Sequence, residues 1–112
     1  MKSIIDQIDD FILSKNSNIW LEDKILQIYV RKNFRYINHQ QINTFDIANI
    51  PAIQKKYQGK GHFKQFMIKV ESLGIPVFVE SIQNPNLAEM LERNGYTMLG
   101  GQYDTNAIKF PC

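Results

Sequence analysis

The chain has 112 residues, 44% of them apolar and 21% charged, which is enough for one hydrophobic core and too short for two ordinary domains. A single domain over residues 1–112 is the expectation, and wholesale disorder is excluded by the apolar fraction. The formal charge of +2 falls short of the basic balance that marks a nucleic-acid binder, and the single cysteine, Cys112, allows neither an internal disulfide nor a thiolate metal cluster.

The first residues meet Asp6 before an apolar leader can form, and no run approaches the ~20 apolar residues of a membrane span. A cytoplasmic protein with no membrane contact is expected. Ile4, Ile5, Ile8, Phe11 and Ile12 recur at helical spacing behind Ser3, a candidate N-cap, and predict a helix ending near Ser14. Lys15 to Asn18 reads as a loop.

From Ile19 the period changes to two. Ile25 to Arg31 and Phe34 to Ile37 read as a hairpin around a Lys32-Asn33 turn, and Asn38-His39-Gln40 as a second turn into a strand from Ile42 to about Ile53. Pro51 lies inside that strand and cannot donate to a ladder, so it demands an edge, a bulge or a place where strands separate. Phe63, Phe66, Met67, Val70 and Leu73 follow one helix face, with Gly74 at its C-terminal end. A strand over 76–82 follows, then a helix opened by Asn84-Pro85 and closed by Asn94-Gly95, with Leu87, Met90 and Leu91 inward. Tyr96 to Leu99 and Tyr103 to Phe110, broken by Gly100-Gly101, form a terminal hairpin. The order is α-β-β-β-α-β-α-β-β, a mixed α+β chain.

A strand running through a glycine-bearing turn into a helix presents unpaired N–H groups and the positive end of the helix dipole at one point, where phosphate oxygens bind. Gly59 and Gly61 permit close approach of an anion, and Lys55, Lys56 and Lys60 add charge. By itself this is an anion site or a tight solvated loop. The spacing is neither that of a Walker loop nor that of a dinucleotide fold.

The stretch Gln58-Gly59-Lys60-Gly61-His62-Phe63 resembles the Gln/Arg-x-x-Gly-x-Gly/Ala signature of GNAT-type N-acetyltransferases. Asn84 leads to Gly95-Tyr96 at the eleven-residue spacing of the same family's Asn and Gly-Phe. The resemblance implies a GNAT-like α/β fold, a mixed and mostly antiparallel sheet with flanking helices. It implies acetyl-coenzyme A as cofactor and direct transfer of the acetyl group to an amine. The pantetheine arm would pair with backbone near Ile50, Ala52 and Ile53, where Pro51 marks an open ladder. The pyrophosphate would meet Gln58, Gly59, Lys60, Gly61, His62 and Phe63, and Asn84 would contact the arm or fix its turn. Phe63 departs from the usual Gly or Ala, and Leu91 stands where many members carry a Tyr acid.

Acyl transfer needs a group to take the amine proton and one to protonate the leaving thiolate. Asp46 is the first candidate base. It lies twelve residues before Gln58 where some members of the family have Glu eleven before, an offset that reverses its face unless a bulge restores it. Glu80 is the second, and Tyr103 is the candidate acid. Asn49 is a site residue or satisfies its own turn. His62 belongs with coenzyme contact more than with base catalysis, His39 with a turn, and no metal site is expected. Arg31, Lys32 and Arg35 greet an acidic substrate or form a solvated turn. The short segment from Lys15 to Asn18 points to an open site for a macromolecular acceptor, or to one completed by a second subunit in a homodimer. The alternative is a GNAT-fold binding or inhibitor protein that keeps coenzyme A without catalysis. A third class, a nucleic-acid or protein inhibitor using the basic residues, has little support from the net charge.

Overall fold

The computed structural model describes residues 2–49, 61–82, 85–100 and 105–111. Its element order is α1 (Ile4–Leu13), β1 (Asn18–Glu22), β2 (Gln27–Ile37), β3 (Gln40–Asn49), α2 (His62–Glu71), β4 (Val77–Val79), α3 (Pro85–Arg93), β5 (Thr97–Gly100) and β6 (Thr105–Lys109). The strands form one six-stranded sheet in the order β1-β2-β3-β4-β6-β5, antiparallel throughout except for the β3–β4 pair. None of the helices among the described residues is long and apolar enough to cross a membrane.

Ser3 caps α1 as its sequence position requires, its hydroxyl accepting from the Asp6 N–H at 3.2 Å. Asp23 adds a tertiary tie. Its carboxylate accepts from the N–H groups of Ile25 (2.8 Å) and Leu26 (2.9 Å), shaping the β1–β2 turn, and from that of Ile4 (3.1 Å) at the start of α1. Burial acts to raise the Asp23 carboxyl, but these backbone donors, helped by His62, outweigh it and hold its pKa below the ordinary value.

The expected Lys32-Asn33 turn is corrected, because β2 runs unbroken through both residues. Each has a reason to sit in a strand. Lys32 lies on the helix side, where its ammonium donates to the carbonyls of Phe11 (2.9 Å) and Ser14 (2.7 Å) at the C-terminal end of α1. Asn33 lies on the other side and donates to Asp46. The first strand is likewise corrected from the Ile25 region to Asn18–Glu22, with Ile25 and Leu26 in the turn after it. The Asn38-His39 turn is present, both residues holding positive φ (52° and 67°) as a two-residue hairpin loop of primed type demands. The strand expected over 76–82 forms ladder pairs only over Val77–Val79.

The register sorts the two sheet faces. Ile28 and Val30 on β2, Phe45 and Ile47 on β3, Val77 and Val79 on β4 and Ala107 on β6 share one face, and all are buried. They form one cluster with the buried residues of every helix: Ile4, Ile8 and Phe11 of α1, Phe66, Met67 and Val70 of α2, and Leu91 of α3. Each of these side chains except that of Ala107 contributes about 1.5–3 kcal/mol by leaving water. The opposite face carries Arg31, Asn33 and Arg35, then Thr44 and Asp46, then Phe78 and Glu80.

Candidate functional site

The site begins where the sheet parts. β3 and β4 pair only at Phe45↔Val77, Asp46↔Phe78 and Ile47↔Val79. Hydrogen bonds close both ends of this short ladder: the Phe45 N–H donates to Pro76 (2.9 Å) and the Glu80 N–H to Ile47 (3.0 Å). Beyond Ile47, β3 stays with β2, passing a one-residue bulge at Ala48 to reach Asn49↔Tyr29. The chain after β4 follows β6 instead. Ser81 takes a left-handed φ of 53°, its N–H donates to the Asn106 side chain at 2.9 Å, and the Ile82 N–H donates to Thr105 at 2.7 Å. Each strand keeps its outer neighbour, and the β3–β4 ladder ends at Ile47↔Val79.

The bulge lies at Ala48, two residues downstream of Asp46, while Pro51 and Gln58 lie outside the described residues.

α2 starts at His62 behind Gly61, which holds φ 80°. Only glycine takes that angle freely, and no side chain among the described residues caps the helix. Phe63 is half-buried against the core and stacked near Phe66 with centroids 6.2 Å apart, so its ring serves packing. Of the other residues expected at the coenzyme, Ile50, Ala52, Ile53, Gln58, Gly59, Lys60 and Asn84 lie outside the described residues, as do Pro51 and the candidate acid Tyr103.

Asp46 and Glu80 come together on the face opposite the helices. Asp46 is wholly buried, and its carboxylate accepts from Thr44 Oγ1 (2.7 Å), Asn33 Nδ2 (3.0 Å) and Arg35 Nη2 (2.7 Å), with Arg31 Nη2 at 3.7 Å. Glu80, its side chain 25% exposed, accepts from the same Arg35 nitrogen at 2.6 Å and from Arg31 Nη2. The Arg35 guanidinium lies 3.6 Å from the Phe78 ring centroid. Burial opposes its charge, but the two carboxylates outweigh burial and raise its pKa.

The reading of Arg31 and Arg35 as turn residues is therefore corrected. They alternate on one strand face and reach over β3 to β4. A strand reading of Arg31-x-Asn33-x-Arg35 opposite Thr44-x-Asp46 would have exposed the complementarity. Leu91 is buried in the core cluster, so α3 directs an apolar side chain inward at that position. Tyr96 is also buried. Its hydroxyl has no hydrogen-bond partner among the described residues, and burial, aided by the Glu71 carboxylate, pushes its pKa upward.

No protein-family model and no curated protein matches the chain. Two solved structures do. One is a Tyr-to-Phe mutant of the AtaT toxin bound to the C-terminus of the antitoxin AtaR, and the other is the same complex with acetyl-CoA. They align with TM-scores of 0.59 and 0.58 at 19% identity, over 77% of this chain and 58% of theirs. The chain thus spans well under two thirds of these neighbours' length. AtaT has the GNAT fold, and the likeness together with the six-stranded mixed sheet makes the architecture of this chain GNAT-like.

Proposed function

We propose that the protein is an acetyl-CoA-dependent N-acetyltransferase, a single domain that moves an acetyl group from coenzyme A to an amine of a protein or a small molecule. The observation that carries this reading is the end of the β3–β4 ladder at Ile47↔Val79, a short parallel pair beside which an extended ligand would lie. A neighbouring structure of the same fold with acetyl-CoA supports the choice of ligand.

Acetyl-CoA supplies an acyl group activated as a thioester. The chain supplies the rest. Backbone from Asn49 through Ile50, Ala52 and Ile53 pairs with the pantetheine arm, and Asn84 fixes it. The glycine loop from Gln58 through Gly59 and Lys60 to Gly61, together with the N–H groups of His62 and Phe63, holds the pyrophosphate at the start of α2. A carboxylate, Glu80 or Asp46, takes the amine proton, and Tyr103 protonates the departing thiolate.

A second reading, a coenzyme-binding protein without transfer, is favoured by Leu91, whose burial leaves α3 no hydroxyl to offer at that position. Two measurements separate the readings. Thermal stabilisation by acetyl-CoA tests the ligand, and release of free thiol in the presence of candidate amines tests the transfer. Stabilisation with thiol release supports the enzyme, stabilisation without release across a broad amine panel supports the binder, and no stabilisation defeats both.

A further inference from the structure

The two carboxylates at the opening are not equivalent. Asp46 is fully enclosed, and donors engage both of its oxygens: Thr44 on Oδ1, Asn33 and Arg35 on Oδ2. Glu80 engages both guanidinium groups through Oε1 alone, and its Oε2 takes no hydrogen-bond partner among the described residues. Its side chain keeps a quarter of its surface exposed, at the point where β4 leaves β3.

The arginines connect the two. Both start on β2, cross over β3 and end on β4, so they span the strands that part. A single nitrogen, Arg35 Nη2, contacts Asp46 Oδ2 at 2.7 Å and Glu80 Oε1 at 2.6 Å. Phe78 supports the same guanidinium from below at 3.6 Å. Asp46 thus fixes the arginines, and the arginines fix Glu80.

Building on the acyl-transfer reading above, we infer that Glu80 is the group that takes the amine proton, while Asp46 is a positioning residue that acts through Arg31 and Arg35. The N–C bond forms as the C–S bond breaks, the electron pair leaves on the coenzyme thiolate, and one amine proton passes to Glu80 Oε2 and on to solvent. The acceptor enters from the sheet face opposite the helices, where Glu80 keeps a quarter of its side-chain surface exposed. This reverses the ranking drawn from sequence, which placed Asp46 first.

The test compares Glu80→Gln, Asp46→Asn, Arg35→Met and Arg35→Lys in the full chain, measuring kcat by thiol release and acetyl-CoA affinity by calorimetry. Glu80→Gln is expected to lower kcat by about 10²-fold or more with coenzyme affinity unchanged. Asp46→Asn and Arg35→Met are expected to lower it by about tenfold, and Arg35→Lys to recover part of that loss. A merely structural role would not divide kcat from coenzyme affinity in this way. Glu80→Gln retaining more than half of wild-type kcat overturns the inference. If Asp46→Asn does not fold, Arg35→Met decides, and wild-type kcat in that variant overturns the positioning role. Failure of the wild type to bind acetyl-CoA removes the acyl-transfer reading and the inference with it, whereas intact coenzyme binding with unaltered kcat in the variants removes the inference alone.

Discussion

The two faces of the sheet are held by different physics, although the same strands carry both. On the helix side, Ile28, Val30, Phe45, Ile47, Val77 and Val79 meet the buried residues of three helices and are stabilised by apolar area. On the other side, Asp46 sits between the same β3 positions with its charge fully withdrawn from water and its oxygens taken up by named donors. Area is forgiving and partnered charge is not. A trimmed apolar group loses its own contacts and leaves a cavity, whereas a deleted carboxylate also strands the groups that were satisfied by it. That contrast is expected where a fold spends rigidity on a site.

Substitutions on either face test this difference. The largest expected effect is Phe45→Ala, which removes a ring 1% exposed and edge-on to Phe11 at 6.0 Å. It should cost about 3–5 kcal/mol in denaturant unfolding. Asp46→Ala removes far less volume yet should cost about 2–3 kcal/mol, because it leaves Arg31 and Arg35 facing one carboxylate and strands Asn33 and Thr44. The partial exposure of the arginines brings the figure below the range of about 3–5 kcal/mol for fully buried pairs. A cost near zero would show that the charged face contributes nothing beyond its volume.

Asp23 sharpens the comparison at the helix side, since a charge serves there to tie α1 to the β1–β2 turn. Its pKa is lower folded than unfolded, so the stability it contributes is present above the unfolded value of about 3.9 and is lost as pH falls through the folded value. Asp23→Asn should therefore melt below the wild type at pH 7, with the gap narrowing below about pH 4. A gap independent of pH would contradict this assignment. The smallest effect belongs to Ser81, whose φ of 53° is a conformation that glycine adopts without strain. Ser81→Gly should change stability by no more than about 1 kcal/mol, with the gain in backbone freedom offset by entropy.

Most of the fold was legible in the sequence because its periodicities are strong. Ile4, Ile8 and Phe11 mark α1, Phe66 and Val70 mark α2, and the observed element order is the expected one. The errors fall on β1 and β2. Lys32 and Asn33 read as a turn because composition carries no record of a partner. Only the folded chain shows that Lys32 reaches the end of α1 and Asn33 reaches Asp46. The same blindness affected the site. Asp46 and Glu80 were each visible as candidates, but their relation runs through Arg31 and Arg35, and the alternation Arg31-x-Asn33-x-Arg35 that would have pointed to it was hidden by reading Lys32-Asn33 as a turn.

The most direct test of the account is the melting temperature of the full chain with and without acetyl-CoA. At a hundredfold excess over Kd, binding to the opening between β3 and β4 should add about 2.7 kcal/mol, raising Tm by roughly 10 °C, with desulfo-coenzyme A giving a similar shift and free acetate none. An unchanged Tm at millimolar acetyl-CoA would contradict the coenzyme site and the function built upon it.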